Sequence, residues 1–376
     1  MGVTNTAPSQ GSVVVVDNGD GTWSYTYTPT EAARVRAGVT PGADTDSYTV
    51  TVTDTYGVRT AVPVSVSVAG LTPTIAAAVP VSWQPSGVAV SPDGTRTYAT
   101  NSGSNTVSVI DTGSNTRIAN ITTGSEPRGV AVSPNGTRVY VANYSSNTVS
   151  VINTADNSLV TNIPVTNGPF GIAVSPDGSR AYVTNINGSS VAVINTATNA
   201  VINTISDGAT PIAVAVSPDG SRLYVASYSN NVVVAISTVT NNIIGGATVG
   251  IGPRSLTVSP DGSRVYVANG SHGGSSGSVS VINTSNYAVT TIPTGGSAYG
   301  IALDPDATLA YVTNNKSGQM WLIDTDPTSP TYNTVIATVS VASHPDGVAV
   351  GPDGRAYVAN PFTNTVSVIS LVPTGP

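Results

Sequence analysis

The sequence predicts an all-β protein, and three observations support that prediction. The chain has 376 residues, of which only 9% are charged, with one lysine (Lys316) and two glutamates (Glu31 and Glu126). Valine, threonine, serine and asparagine dominate, and β-branched residues favour strands, whereas the scarce glutamate and lysine favour helices. Apolar residues make up 39% of the chain. Because they recur with a period of two, they indicate half-buried strands and exclude disorder.

A turn related to Ser-Pro-Asp-Gly recurs at intervals of 42, 42, 42, 42, 45 and 47 residues. The turns begin at Ser91, Ser133, Ser175, Ser217, Ser259, Asp304 and Gly351. Residues 129–165 show one unit clearly, as four short alternating segments separated by Asn- and Gly-containing turns. Four strands in each repeat of about 40 residues predict a seven-bladed β-propeller over residues 71–376. A solenoid is the alternative, but its coils are usually nearer about 20–30 residues.

The two ends of the repeat region predict how the ring closes. The seventh unit stops after its third strand, residues 365–369, and lacks a fourth. Residues 74–81, which precede the first unit, resemble the fourth strands of the other units. A sheet edge left open can pair with other chains. The sequence therefore predicts that this N-terminal segment closes the propeller as the outer strand of the last blade.

Residues 1–70 do not share the repeat, and they predict a small β-sandwich-like module. Two hairpins are expected, one joining residues 13–16 to 23–27 and one joining residues 47–53 to 61–68. Residues 30–37 predict one short helix with Thr30 as its N-cap. We expect this module to be structurally independent of the ring. Because the chain opens directly on strand sequence, we also expect it to be a segment of a longer protein.

Short motifs in the repeats resemble those of a known group. Residues 182–185 and 311–314 read Tyr-Val-Thr-Asn, and three further units read Tyr-Val-Ala-Asn. The repeat region thus resembles YVTN-type β-propellers of the prokaryotic surface-layer and exported kind. Residues 1–70 resemble part of a cadherin-like or VCBS-type module. These resemblances imply a bacterial protein that is extracellular or at the cell surface, but they do not specify an activity.

Several kinds of chemistry find no support in the sequence. Cysteine is absent, which removes disulfides, thiol nucleophiles and cysteine-ligated zinc. The two histidines, His272 and His344, lie in different units, and no Gly-x-Ser-x-Gly elbow sits on a strand-to-helix turn. A lactonase-like site of the calcium type would need acids at the axis, where Glu126 and Asp346 are the candidates. We therefore assign no catalytic residue, no metal and no cofactor.

The recurring charged residues have structural interpretations. The aspartates of the repeated turns are Asp93, Asp177, Asp219, Asp261 and Asp353. Calcium binding is one interpretation of them, but an aspartate in a tight Asp-Gly turn usually accepts local backbone hydrogen bonds. Five arginines lie two residues after a turn glycine and are expected to cover blade edges, namely Arg96, Arg138, Arg180, Arg222 and Arg264. In the N-terminal module, a calcium site remains open at Asp17, Asp20, Asp44, Asp46 and Asp54.

Positions that break the repeat indicate a binding face. The sequence Pro-x-Gly, or a variant of it, lies immediately before each inner strand, and the middle residue x differs in chemistry from unit to unit. These residues are Ser86, Arg128, Phe170, Ile212, Arg254, Tyr299 and Asp346. In a propeller this loop shares one face with the loop between the second and third strands. Both phenylalanines, both histidines, the lysine and Glu126 fall on that face. Neutral variation of long loops is the alternative explanation.

These residues define the predicted ligand site. The inner members are Arg128, Phe170, Arg254, Tyr299 and Asp346, and the outer members are Tyr144, Tyr228, His272, Lys316, Phe362 and Trp83. Glu126, on the same face, is also assigned to the site. Inner-strand ends converge at the axis and form a concavity, the usual shape of a ligand site. Arg128 and Arg254 lie nearly opposite each other in the ring, so we expect them to clamp an anionic group.

The sequence favours a noncatalytic recognition or scaffold propeller that binds a small molecule, a glycan or a protein. A lactonase-like hydrolase or a lyase that uses the same face is the alternative. A structural spacer in a bacterial adhesin is the second alternative. The net charge of −7 and the lack of a basic stripe argue against nucleic acid as a partner. We expect the protein to be a monomer. We also expect no membrane span, since no apolar run approaches about 20 residues.

Overall fold

The N-terminal part of the chain folds into two small antiparallel sheets and one helix. The computed structural model describes residues 2–8, 10–20, 22–39, 45–206, 209–270 and 277–373. The first elements are β1 (Gly2–Asn5), β2 (Gly11–Asp17), β3 (Trp23–Pro29), α1 (Glu31–Val39), β4 (Thr45–Thr53), β5 (Arg59–Ser67) and β6 (Leu71–Pro80). Strand β2 pairs with β3, and β4 lies between β1 and β5. Both expected hairpins and the expected helix are present.

Each repeat folds into a four-stranded antiparallel sheet, which is one blade of the predicted propeller. Blades 1 and 2 contain β7 (Pro85–Val90), β8 (Arg96–Asn101), β9 (Thr106–Asp111) and β10 (Thr116–Thr122), then β11 (Pro127–Val132), β12 (Arg138–Asn143), β13 (Thr148–Asn153) and β14 (Leu159–Pro164). Blades 3 and 4 contain β15 (Pro169–Val174), β16 (Arg180–Asn185), β17 (Ser190–Asn195) and β18 (Ala200–Ser206), then β19 (Pro211–Val216), β20 (Arg222–Ser227), β21 (Val232–Ser237) and β22 (Ile243–Thr248). Blades 5 and 6 contain β23 (Pro253–Val258), β24 (Arg264–Asn269), β25 (Ser278–Asn283) and β26 (Val289–Pro293), then β27 (Ala298–Leu303), β28 (Leu309–Asn314), β29 (Gln319–Asp324) and β30 (Val335–Ser340). Blade 7 contains β31 (Val348–Val350), β32 (Ala356–Asn360) and β33 (Thr365–Pro373), together with β6.

Blade 7 closes the ring with a strand from the other end of the repeat region. Strand β6 runs antiparallel to β33, with Leu71 opposite Pro373 and Pro80 opposite Thr365. The inner strand of each blade contacts that of the next, including β31 of blade 7 and β7 of blade 1. The predicted all-β, seven-bladed propeller closed by an N-terminal outer strand is therefore confirmed. The pairing begins at Leu71, earlier than the predicted residue 74.

The hydrophobic cores of the ring lie between adjacent blades. Between blades 1 and 2, for example, Tyr98 and Val107 of one blade pack with Val139 and Ile152 of the next. The tyrosine of the second strand is fully buried in every blade, as Tyr98, Tyr140, Tyr182, Tyr224, Tyr266, Tyr311 and Tyr357. A tyrosine buries about 150–250 Å² of surface. Burial between blades therefore explains why this residue recurs in each repeat.

In blades 1, 3, 4 and 7 the arginine that follows the turn glycine donates a hydrogen bond to the next blade. Arg138 of blade 2 bonds within its own blade instead. Arg180 Nη1 donates a hydrogen bond to the carbonyl oxygen of Thr238 at 2.8 Å, one blade further along the ring. Arg355 Nη1 does the same to the carbonyl of Thr112 at 2.8 Å, across the closure from blade 7 to blade 1. These side chains lie on the face opposite the predicted ligand site. They stabilise the contact between blades, in agreement with their structural interpretation.

Helix α1 packs on the propeller. Thr30 Oγ1 accepts a hydrogen bond from the Ala33 amide at 3.2 Å, which caps the first turn. Ala32 and Val35 are fully buried. They pack with Leu71 in the cluster that blades 6 and 7 share. In the described part of the chain, no helix is long and apolar enough to cross a membrane.

A buried ion pair fixes the same helix to blade 6. Arg36 Nη1 donates to Ser329 Oγ at 3.0 Å and to Thr331 Oγ1 at 2.9 Å, and it lies 3.6 Å from Asp324 Oδ2. The Asp324 side chain is fully buried, and both hydroxyls donate to it. The longer loop at residues 324–333 therefore holds α1. This differs from the expectation that the N-terminal part is independent of the ring. In the sequence, residues 324–333 indicate only a longer loop, and nothing in them indicates a contact with α1.

The contact of α1 with the propeller is expected to weaken as the pH rises. Burial, and then the charges of Asp304 and Asp306, raise the pKa of Glu31 from 4.5 to about 7, against the opposing effect of Arg34. Burial also raises the pKa of Asp304 to about 6. Because both values lie above those of the unfolded chain, the folded form binds protons more tightly. Its stability is greatest below about pH 4.5 for these groups, and this contribution is lost through pH 6 to 7.

Thermal unfolding between pH 5 and 8 measures this effect. The melting temperature of the wild type should fall across the range through loss of the α1 contact. Glu31→Gln should flatten the curve, because the amide keeps the shape and cannot ionise. Glu126→Gln, which changes the chain's other glutamate, is the matched control and should leave the slope unchanged. An equal slope in wild type and Glu31→Gln would contradict the assignment.

Candidate functional site

In blades 1 to 6 the variable residue near the start of the inner strand lies in a β-bulge. In blade 2 the pairing shifts register between Pro127 and Val130, so Arg128 and Gly129 form the bulge. A bulge changes the direction of a side chain, and Arg128 lines the central cavity. Glycine is required next to it, because a Cβ on Gly129 would lie 2.4 Å from the carbonyl oxygen of Phe170 in the next blade.

These residues line one cavity of about 270 Å³ at the axis. The seven are Ser86, Arg128, Phe170, Ile212, Arg254, Tyr299 and Asp346. The structure therefore brings together every inner-strand position that the sequence singled out for breaking the repeat. The volume lies near the lower end of the range for small-molecule sites, about 300–1,000 Å³. A compact ligand is the kind that such a cavity can enclose.

Asp346 is the acidic group of the cavity. Ser86 Oγ donates a hydrogen bond to Asp346 Oδ2 at 3.1 Å. Burial raises the pKa of Asp346 to about 6, while the positive charge of Arg128, the bond from Ser86 and the charge of Arg254 act in the opposite direction. Near pH 6 the group is therefore divided between its charged and neutral forms. It can accept hydrogen bonds from a ligand as a carboxylate, or donate one as an acid.

Arg254 is held rigidly between two tyrosines. Its guanidinium carbon lies 4.3 Å from the ring centre of Tyr228 and 5.2 Å from that of Tyr299. Its Nη2 donates to the Tyr228 hydroxyl at 3.2 Å, and its Nε donates to the carbonyl of Gly270 at 3.3 Å. The charge of Asp346, and then burial, raise the pKa of Tyr299 well above its usual value. Tyr299 is therefore a neutral hydroxyl beside a fixed cation.

Arg128 differs from Arg254 because it already has an acidic partner. Its Nη2 donates to Glu126 Oε1, and Ser145 Oγ donates to the other carboxylate oxygen of Glu126. Burial would raise the pKa of Glu126, but the bonds from Ser145 and Arg128 outweigh it and lower the value. The Arg128 guanidinium carbon also lies 5.9 Å from the ring centre of Phe170. The predicted clamp of two equivalent arginines is therefore unequal, since Glu126 neutralises one of them.

Two of the outer members of the predicted site, Tyr144 and Tyr228, contact residues that line the cavity. Tyr144 packs edge-on against Phe170, with the ring centres 6.3 Å apart. Phe362 is 70% exposed and lies 4.5 Å, ring centre to ring centre, from His344. Trp83 is 59% exposed. The prediction for His272 falls outside the described residues. Lys316 is exposed and does not line the cavity.

Three threonines that the sequence analysis did not single out connect neighbouring cavity residues. Thr100 Oγ1 accepts from the bulge glycine amide of its own blade at 2.8 Å and donates to the carbonyl of Arg128 at 2.7 Å. Thr313 Oγ1 makes the same two contacts, with the carbonyl of Asp346 as acceptor at 2.7 Å. Thr184 occupies the equivalent place in blade 3. The signal in the sequence is the exchange of threonine for alanine in the Tyr-Val-Thr-Asn motif.

The repeated turns use their aspartates locally. Asp177 Oδ1 accepts from Ser175 Oγ at 2.5 Å and from the Ser179 amide at 3.0 Å, and these bonds lower the pKa of Asp177 to about 2. Gly178 has a φ of 71°, a conformation that glycine adopts without strain. Asn135 makes the same contacts in blade 2, which shows that the turn does not need a charge.

The aspartates of the N-terminal module also make local hydrogen bonds. Asp17 accepts from the Gly19 amide, Asp20 from the Thr22 amide and Asp54 from the Tyr56 amide, at 2.8–2.9 Å. Asp46 accepts from the Tyr27 hydroxyl at 2.9 Å. Asp44 lies outside the described residues. Over the residues that the structure describes, no three histidine, aspartate or glutamate side chains are grouped to hold a metal ion.

The fold and the axial cavity together define a seven-bladed β-propeller with a candidate site at its centre. The family model described as "Lactonase, 7-bladed beta-propeller" matches residues 48–163, less than half of the chain. None of the curated protein sequences matches this chain.

Two solved structures share the propeller architecture. Hydrazine synthase from Kuenenia stuttgartiensis superposes with a TM-score of 0.70 at 23% sequence identity, covering 78% of this chain and 96% of that chain. A streptogramin B lyase superposes with a TM-score of 0.66 at 18% identity, covering 80% of this chain and 98% of that chain. At such identities the similarity establishes the fold alone.

Proposed function

We propose that this propeller is a noncatalytic recognition domain that binds a compact ligand in the axial cavity. The observation that supports the proposal is the contrast between backbone and side chains. The seven blades repeat one backbone pattern, yet the residues that meet at the axis include two cations, an acid, a phenol and two apolar groups. Structural needs of a repeat would favour the same residue in every blade. A ligand with several different groups would instead favour this variety.

The kind of ligand and the cellular location are proposed on two further observations. We propose a small molecule or the end of a glycan as the ligand, with a surface loop of a protein as the alternative. A net charge of −7 disfavours nucleic acid, because phosphate contacts need a basic surface. We propose that the protein acts as a monomer outside a bacterial cell or at its surface, on the resemblance of its repeats to exported propellers.

A screen of small molecules and glycans tests the site directly. Any ligand that binds the wild type should bind Arg254→Ala/Tyr299→Ala at least about tenfold more weakly, because both side chains line the cavity. Arg117→Ala is the matched control, since it removes an exposed cation from an outer strand. Binding by calorimetry and melting temperature by fluorescence would be measured for each variant. Hits that bind the double variant as tightly as the wild type would place the site elsewhere.

A hydrolase or lyase is the second candidate, and Asp346 is the observation that favours it. An acid with a pKa near 6 in a cavity, beside a neutral tyrosine and two arginines, is the kind of group that enzymes use for proton transfer. Of the three similarities reported above, one is to a lactonase family model and one to a lyase, and the third is to hydrazine synthase. If Asp346 acts as the general base, activity should rise with pH through about 6. Asp346→Asn should abolish it, and a flat pH profile would exclude this role.

A further inference from the structure

We propose that the axial cavity recognises a carboxylated sugar ring, such as a hexuronic acid at the end of a glycan. This inference rests on the proposed function and narrows it to one chemical class. Three features of the cavity support it, and each would bind a different part of such a ligand. They are one available cation, a set of groups that pair with hydroxyls, and a separate apolar wall.

The available cation is Arg254, and it indicates a single negative charge. Among the described residues, no carboxylate lies within ion-pair distance of its guanidinium, whereas Arg128 is paired with Glu126. Arg254 has five N–H donors, and two of them bond to Tyr228 and Gly270. The rest can bind a carboxylate, and the two flanking tyrosine rings fix the plane of the guanidinium. A dianion such as phosphate would keep an unmatched charge in a cavity that also holds Asp346.

Hydroxyl groups of the ligand would pair with the neighbouring sector of the ring. Tyr299, Asp346 and Ser86 follow Arg254 in successive blades, so they form a continuous polar wall. Asp346 accepts one hydrogen bond from Ser86 at its Oδ2, and a carboxylate has about four lone-pair sites. Tyr299 can both donate and accept, because it stays neutral. A wall of this kind suits several adjacent hydroxyls better than one isolated polar atom.

The apolar wall lies on the other side of the axis. Phe170 and Ile212 belong to blades 3 and 4, between the blades of Arg128 and Arg254. Ile212 is buried, and Phe170 is supported edge-on by Tyr144. The C–H face of a sugar ring can pack on such a surface, while its hydroxyl edge faces the polar wall. The cavity of about 270 Å³ suits one ring, and the exposed Trp83 and Phe362 lie outside it, where a longer glycan would continue.

Titrations with four simple probes test this inference. Glucuronic acid, glucose, benzoate and inorganic phosphate would each be titrated into the full chain by calorimetry, with ligand-observed NMR for weak binding. Glucuronic acid should bind at least about tenfold more tightly than glucose, since only it carries the carboxylate for Arg254. Arg254→Gln should reduce glucuronic acid binding to the level of glucose. Phe170→Ala should weaken both sugars equally, and Arg117→Gln should change neither. Melting temperatures would show whether each variant is folded.

The failing outcomes separate this inference from the proposed function. Equal binding of glucose and glucuronic acid, or unchanged binding in Arg254→Gln, would overturn the requirement for a carboxylate. Tighter binding of benzoate or phosphate would overturn the sugar class while leaving an anion site in the cavity. Failure of glucuronic acid to bind, with cavity-dependent hits in the wider screen, would overturn only this inference. Absence of any cavity-dependent hit would overturn the proposed function as well.

Discussion

Val79→Asp is expected to prevent the ring from closing. Val79 lies in β6, the strand that completes blade 7, and only 1% of its surface is exposed. It packs with Val366 and Tyr357 in the core between blades 7 and 1. A buried, unpaired carboxylate costs several kcal/mol. The free energy of unfolding of a domain is only about 5–15 kcal/mol, so this cost is a large part of it. We expect soluble monomer to be lost, because an unpaired β33 edge can bind other chains.

Ala78→Asp is the control for this variant. Ala78 lies on the same strand but points to the opposite face of the sheet and is exposed. The Ala78→Asp substitution introduces the same charge one residue away, and it should change the melting temperature little. Sedimentation velocity and thermal unfolding would be measured for both proteins. If the Val79→Asp protein is monomeric and has the same melting temperature as the Ala78→Asp protein, closure of the ring by β6 is contradicted.

Arg36→Ala is expected to reduce the free energy of unfolding by about 3 kcal/mol. The substitution leaves the buried Asp324 carboxylate without its cation, although Ser329 and Thr331 still donate to it. Breaking a buried pair at one partner is more damaging than removing both, because a charge stays buried alone. The loss should appear in the main unfolding transition, since Asp324 belongs to blade 6. Chemical denaturation monitored by tryptophan fluorescence would measure it.

Arg59→Ala provides the comparison, since Arg59 is an exposed arginine of the same N-terminal part. It should unfold like the wild type. The double variant Arg36→Ala/Asp324→Asn should recover part of the lost stability, because the orphaned charge is removed. Unchanged stability of Arg36→Ala would instead support an N-terminal part that is independent of the ring.

The repeat explains why so much of the fold could be predicted from the sequence. Period-two alternation and Asn-Gly or Asp-Gly turns depend on neighbouring residues, so each blade is encoded locally. Ring closure followed from counting strands, since only one unit lacked its fourth. The convergence of Arg128, Tyr299 and Asp346 followed from topology, because equivalent positions in a ring meet at its axis.

What the sequence did not predict depends on which side chains pair in the folded chain. The pairing of Arg128 with Glu126 joins two residues in one loop, but its effect is to leave Arg254 as the cation available to a ligand. The helix lies against the turn that begins at Asp304, where the other units have serine or glycine. That departure from the repeat lies on the face opposite the predicted ligand site. It was a signal of docking, and a comparison of the turns could have found it.

The attachment of α1 to blade 6 determines how the chain would respond to mechanical load. A pull on the N-terminal end reaches α1 before it reaches β6, because the helix precedes that strand in the chain. The force passes through Arg36 into Asp324, and so into a blade whose four strands are continuous in sequence. Helix α1 also packs on Leu71 of β6, so part of the load reaches the ring-closing pair β6–β33 directly. The buried ion pair therefore diverts to blade 6 part of a pull that the one seam of the ring would otherwise carry alone.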